Sequence, residues 1–166
     1  MAARLPRTLF TSETDPADIV AHQQRTFTNT LQLVDYVDVD TYGYIRRLLP
    51  SVRIVQVVHV TGMDALSIAL ASAEHADALL LDSGNPQAAV KTLGGTGNTH
   101  DWSISRRIVK EVGIPVFLAG GLNAINIREA IKHVEPYGVD VCSGVRSNGY
   151  LDPVKLDAFV RAIQEI

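Results

Sequence analysis

The chain has 166 residues, 46% hydrophobic and 20% charged, with a formal charge of −3 at neutral pH. That length suits a single globular domain over residues 1–166 and leaves no room for a second. Acids and bases are interspersed, so nucleic acid is a poor partner; no apolar run reaches bilayer length, and the lone Cys142 has no partner for an intramolecular disulfide, which together predict a reducing, cytoplasmic setting.

In chain order, short β-branched or apolar runs predict strands at Thr8–Ser12, Thr30–Val34, Arg53–Val60, Ala78–Asp82, Pro115–Ala119 and Val139–Ser143. Helical periodicity falls between and after them, at Pro16–Arg25, Tyr42–Leu49, Met63–His75, Ser103–Val112, Asn123–Val134 and Pro153–Ile163. Asp15 and Asp152 each stand before a proline as N-caps, and Gly113 follows the fourth helix at its C-terminal end. Runs such as ALLLD and PVFLAGG are apolar on both faces, as parallel strands covered by helices must be. An α/β fold with a parallel sheet follows. Periodicity leaves an open doubly wound sheet and a closed barrel as alternatives.

Three strands end in small and polar residues: LLDSG at Leu80–Gly84, LAGGL at Leu118–Leu122 and VDVCSGV at Val139–Val145. Parallel strands share one C-terminal face, where sites form in barrels and open sheets alike. At Gly120-Gly121 and Ser143-Gly144 no bulky side chain shields the backbone N–H groups, which suits a phosphate; tight βα turns are the plainer alternative. The segment LGGTGNTHDW, Leu93–Trp102, has the glycines and hydroxyls of a phosphate cradle or lid, with Asp101 as N-cap of the next helix. It fits neither a Walker A loop nor a dinucleotide fingerprint. Asp82 ends an apolar strand, where burial would raise its pKa toward proton donation. His22, His75 and His133 fall on helical stretches and are expected at the surface, whereas His59 and His100 are nearer the site. No metal-ligand spacing occurs, so neither metal nor cofactor is expected. Cys142 reads as a small core residue within the last strand.

Taken together, LLDS, LGGTGNTHDW, PVFLAGGLNAINIREAI and YGVDVCSGVRSNGYLDPVKLDAF resemble the successive C-terminal motifs of the phosphoribosylanthranilate isomerase family, and LQLVD at Leu31–Asp35 resembles its fourth-strand segment. The resemblance implies a (β/α)8 TIM-barrel type fold in which the six strands correspond to strands three to eight, with the first two βα units absent. It also implies an Amadori rearrangement of N-(5'-phosphoribosyl)anthranilate in tryptophan biosynthesis, without a cofactor. Asp82 matches the family's general acid. Phosphate contacts fall to Gly95, Gly97, Gly120, Gly121, Ser143 and Gly144, and Asp140 matches an aspartate lining the ligand site. The chain departs from the pattern in three places: the first-strand cysteine that serves as base has no counterpart, Val34 replaces a histidine, and Arg146 replaces a glutamate. Cys142 aligns with a serine. The alternative is therefore a phosphosugar-binding barrel without catalysis. A complete barrel takes at least ~200 residues; a start placed too far downstream, a truncated gene and completion by another chain are the three explanations, and for the chain as written the open edge makes self-association an expectation.

Overall fold

The computed structural model describes residues 7–84 and 100–166. The six apolar runs form β1 (Thr8–Thr11), β2 (Thr30–Leu33), β3 (Arg53–His59), β4 (Ala78–Asp82), β5 (Val116–Leu118) and β6 (Gly138–Val139). All pair in parallel in the order β1-β2-β3-β4-β5-β6. A doubly wound sheet would reverse its strand order partway, so this unbroken sequence resolves the two alternatives in favour of barrel-type winding. Among the described residues β1 and β6 do not pair with one another, and the sheet has two free edges.

Helices α1 (Pro16–Thr26), α2 (Val39–Leu48), α3 (Asp64–Ala73), α4 (Trp102–Glu111), α5 (Ile127–Val134) and α6 (Pro153–Gln164) return the chain between and after the strands. The caps behave as their chemistry requires: Asp15 accepts from the N–H groups of Ala17 and Asp18, Asp101 from Ser103, and Asp152 from Val154 and Lys155. Gly113 stands beyond α4, but it is not left-handed, and the helix ends instead on an extended Val112.

Alternate residues of β3, β4 and β5 enter two different cores. Ile54, Val58, Leu79, Leu81 and Leu118 face the helices and join Ile19, Ile45, Ile108 and Ile127 in the main hydrophobic core. Val57, Leu80 and Ala119, with Val55 and Phe117 against them, form a smaller cluster on the opposite face, the interior of the curved sheet. Gly138 belongs to that interior. A Cβ there would lie 2.8 Å from the Phe117 ring, so the aromatic occupies the space a side chain on β6 would need. Buried Gln56, on the helix side of β3, accepts from the Tyr42 hydroxyl at 2.7 Å and donates to the carbonyls of Leu33, Asp35 and Val57, linking β2, β3 and α2.

The last strand is shorter than its apolar run predicts. β6 ends at Val139, although the Asp140 N–H still donates to Leu118 O at 2.9 Å, and the chain then enters a 3-10 turn at Ser143–Val145. With a neighbour on one side only, the ladder has nothing to hold it extended. Cys142 consequently lies outside the strand and is exposed, which corrects its reading as a core residue. An antiparallel hairpin, β7 (Arg146–Ser147) and β8 (Tyr150–Leu151), follows. Its turn is Asn148-Gly149, both at positive φ (52° and 82°).

Candidate active site

The C-terminal ends of the strands enclose an open cavity of about 440 Å³. Phe10, Ser12, Gln32, Val34, Val57 and Leu80 form its floor and one wall, and Asp82, Gly120, Gly121, Asp140, Cys142 and Ser143 its rim. Five of the residues singled out from the sequence, Asp82, Gly120, Gly121, Asp140 and Ser143, thus meet at one place. Gly144 is adjacent to Ser143 but packs against the backbone carbonyl of Leu122, in the space a side chain would occupy, so close approach of two loops requires glycine there. Gly95 and Gly97 lie outside the described residues.

Strand register decides which rim residues share a layer. Leu81 pairs with Leu118, and Leu118 with Val139. One step on, Asp82, Ala119 and Asp140 therefore stand in one row, with the backbone bond from Asp140 to Leu118 continuing the ladder. Inward pointing follows from the parity of Leu80 and Phe117. The row presents a carboxylate, a methyl group and a second carboxylate.

Asp82 is buried, and one carboxylate oxygen accepts the Ser83 N–H at 2.8 Å. Asp140 opens to solvent at the mouth of the cavity. Partial desolvation, and then the nearby Asp82 charge, raise its pKa above the ordinary carboxylate value. Among the described residues no lysine or arginine lines the cavity. Backbone donors are what it offers an anion: Gly120 and Gly121 turn in left-handed conformations (φ 82° and 64°), which a β-carbon would strain. At Gly120 that β-carbon would also lie 2.7 Å from the Ser83 backbone nitrogen.

His100 stands beside the site. Its Nε2 is 2.6 Å from Ser105 Oγ on α4, and burial lowers its pKa despite the opposing charges of Asp82 and Asp101. His59 turns one ring nitrogen to Val34 O at 3.0 Å. Of the helical histidines only His133 is exposed; His22 and His75 are half-buried, and His75 stacks on Tyr42 with 5.5 Å between ring centroids. The cavity floor was missed from the sequence. Its signal was the alternation Phe10/Ser12 and Gln32/Val34, which places these pairs on the interior face once the strand register is known.

Comparison with known proteins gives a consistent outcome. The model of the family "N-(5'phosphoribosyl)anthranilate (PRA) isomerase" matches residues 12–162. The chain is 40% identical over 153 residues to N-(5'-phosphoribosyl)anthranilate isomerase 2 of Methanosarcina mazei, covering 92% of this chain and 67% of that protein. It is 37% identical over 132 residues to the isomerase of Methanocella arvoryzae, where the match covers 80% of this chain and 60% of that one. Among solved structures, phosphoribosyl anthranilate isomerase of Thermotoga maritima superposes with a TM-score of 0.76 at 25% identity, over 100% of this chain and 76% of the other. The Thermococcus kodakaraensis enzyme gives 0.75 at 27% identity, over 99% and 77%. The chain thus spans about two thirds of the curated relatives and three quarters of the solved ones.

Proposed function

Since the chain belongs to the N-(5'-phosphoribosyl)anthranilate isomerase family, we propose that it catalyses that family's Amadori rearrangement, converting N-(5'-phosphoribosyl)anthranilate to 1-(2-carboxyphenylamino)-1-deoxyribulose 5-phosphate in cytoplasmic tryptophan biosynthesis. The observation that carries this reading is the meeting of a buried carboxylate, Asp82, with left-handed glycine turns at the rim of one cavity. In this reading residues 1–166 form a single, partial phosphate-binding barrel domain.

The substrate is a phosphosugar. Its phosphate takes the unshielded N–H groups around Gly120 and Gly121 and at Ser143-Gly144, and the family resemblance assigns further phosphate contacts to Gly95 and Gly97. Asp82 protonates the furanose oxygen as the ring opens. Val57, Leu80 and Phe10 supply an apolar wall against which the aromatic ring packs. A solved neighbour, 23% identical, holds reduced 1-(o-carboxyphenylamino)-1-deoxyribulose 5-phosphate, a ligand of the proposed kind. Turnover of freshly generated phosphoribosylanthranilate, followed by fluorescence, tests the proposal. Asp82→Asn should lower kcat by about 100-fold or more, and an unchanged rate would remove Asp82 from its role.

Self-association through the free sheet edges belongs to the same reading. Among the described residues β1 is unpaired on one side, and Phe10 within it is 59% exposed; Tyr150, Leu151, Val154 and Val160, which follow β6 in the chain, are exposed as well. Light scattering should give a mass above that of one chain; a monomer at all concentrations would contradict this part.

A further inference from the structure

We propose that Gln56 and His59 are positioning residues that set the side of the cavity facing the arylamine end of the substrate, by holding the chain that carries Gln32 and Val34; the inference rests on the isomerase reading. Neither is among the described residues that line the cavity. The β2–β3 ladder ends at Leu33, opposite Gln56. At and beyond that end, β3 holds the chain of β2 with side chains. Gln56 Nε2 donates to Leu33 O at 3.2 Å and to Asp35 O at 3.0 Å, and His59 Nε2 donates to Val34 O at 3.0 Å. Three consecutive carbonyls are thereby fixed on the stretch that presents Gln32 and Val34 to the cavity. On the other flank the Val34 N–H donates to Thr11 O at 2.9 Å, a backbone bond toward β1.

Donor chemistry fixes the orientation of both side chains. A carbonyl oxygen only accepts, so the His59 nitrogen facing Val34 carries the proton. Its Nδ1 is buried without a hydrogen-bond partner, which leaves the bond through Nε2 to orient the ring. Fully buried Gln56 meets the Tyr42 hydroxyl through Oε1 at 2.7 Å, and its Nε2 also serves Val57 O at 3.0 Å; a flipped carboxamide would turn its oxygen onto three carbonyl oxygens. Strand order shows which end of the substrate this stretch governs. The turn at Gly120-Gly121 follows β5, three strands from β2 and about 14 Å along the sheet at about 4.8 Å per strand. With the phosphate at that turn, β2 meets the opposite end of the ligand. It lies there between Phe10 on β1 and Val57 on β3, two of the apolar side chains assigned to the aromatic ring.

Substitutions at His59, read with two ligands, test the role. One ligand is the reduced product analogue; the other is ribulose 5-phosphate, which keeps the phosphosugar but lacks the arylamine. Glutamine can place an amide N–H where Nε2 stands, whereas asparagine reaches only the Nδ1 position. His59→Ala and His59→Asn should therefore raise Kd for the analogue by about five- to tenfold, as the loss of one hydrogen bond would, and move Kd for ribulose 5-phosphate by less than about twofold. His59→Gln should restore most of the affinity for the analogue. In turnover the loss should fall on KM, with kcat within about threefold of wild type. Gln56→Leu should repeat the His59→Ala pattern, and the His59 series decides the matter if that variant does not fold. Unchanged affinity in every His59 variant would overturn the proposal. So would parallel losses for both ligands, which mark a general loosening of the fold. The reverse order, with asparagine keeping affinity and glutamine losing it, would make Nδ1 the working atom and overturn it too. A wild type that binds the analogue without turnover would contradict the isomerase reading alone, since the affinities still decide the role of His59. A wild type with no affinity for the analogue would overturn both.

Discussion

Replacing Gly120 by alanine separates two contributions that are usually entangled, because the chain contains a matched control. Gly120 and Gly149 share the same left-handed φ of 82°, but a Cβ at Gly149 meets nothing within 4 Å, while at Gly120 it would lie 2.6 Å from Ser83 Oγ, 2.7 Å from Ser83 N and 2.8 Å from Ser83 Cβ. Gly149→Ala therefore registers the backbone cost alone, about 1–2 kcal/mol. Gly120→Ala adds overpacking, typically about 1–3 kcal/mol. The hydroxyl can rotate away, but the Ser83 nitrogen belongs to the backbone that follows β4 and cannot. The total for Gly120→Ala is about 2–5 kcal/mol. With a urea m-value of about 2 kcal/mol per molar, the midpoint should fall by roughly 1–2.5 M, against about 0.5–1 M for Gly149→Ala. Urea unfolding by circular dichroism reads both. Midpoints that fall equally would refute the close approach of the β4 and β5 loops, and with it the geometry assigned to the rim.

Two further predictions concern charge. Asp77 accepts from the Ile54 N–H at 2.7 Å and pairs with Arg46 at 2.9 Å and Arg53 at 3.3 Å; burial alone would raise its pKa, but these donors outweigh it and hold it below 3.8. A depressed carboxylate stabilises the fold above its unfolded pKa and loses that contribution as pH falls through the folded value. Asp77→Asn should cost about 1–3 kcal/mol near neutrality, and the gap from wild type should close below about pH 4. Chemical denaturation across that range measures it; a gap that persists at pH 2 would contradict the assignment. For His100, removing the Asp82 charge in Asp82→Asn takes away the largest influence opposing burial, so its NMR titration should move to lower pH. An upward shift would place His100 away from Asp82.

Much of the architecture was legible because a parallel strand covered by helices cannot hide its pattern. ALLLD is buried at all five positions of β4, and it reads as a strand from composition alone. The caps were legible for a related reason, since Asp-Pro fixes both the acceptor and the backbone entry at Asp15 and Asp152. Boundaries governed by side-chain competition were not. At Asn123 the side chain accepts from the N–H groups of Ile125 and Asn126, which opens the first turn and delays α5 to Ile127. The β7–β8 hairpin was overlooked although Asn148-Gly149 is a strong turn signal, because flanking strands of two residues leave no alternation to find. At the site, the rim was legible from its small and polar residues, but the alignment of Asp82, Ala119 and Asp140 in one row needed the strand register, and Cys142 needed the early end of β6.

In the proposed reaction this cavity performs the isomerisation with Asp82 delivering a proton. Its most direct test is the rate at which the fluorescence of freshly generated phosphoribosylanthranilate disappears with the wild-type chain and with Asp82→Asn, both shown by circular dichroism to be folded. Catalysed disappearance is expected with wild type, and a loss of about 100-fold or more with the variant. Equal rates for the two proteins, or no catalysis by a folded wild type that still binds the reduced product analogue, would contradict it.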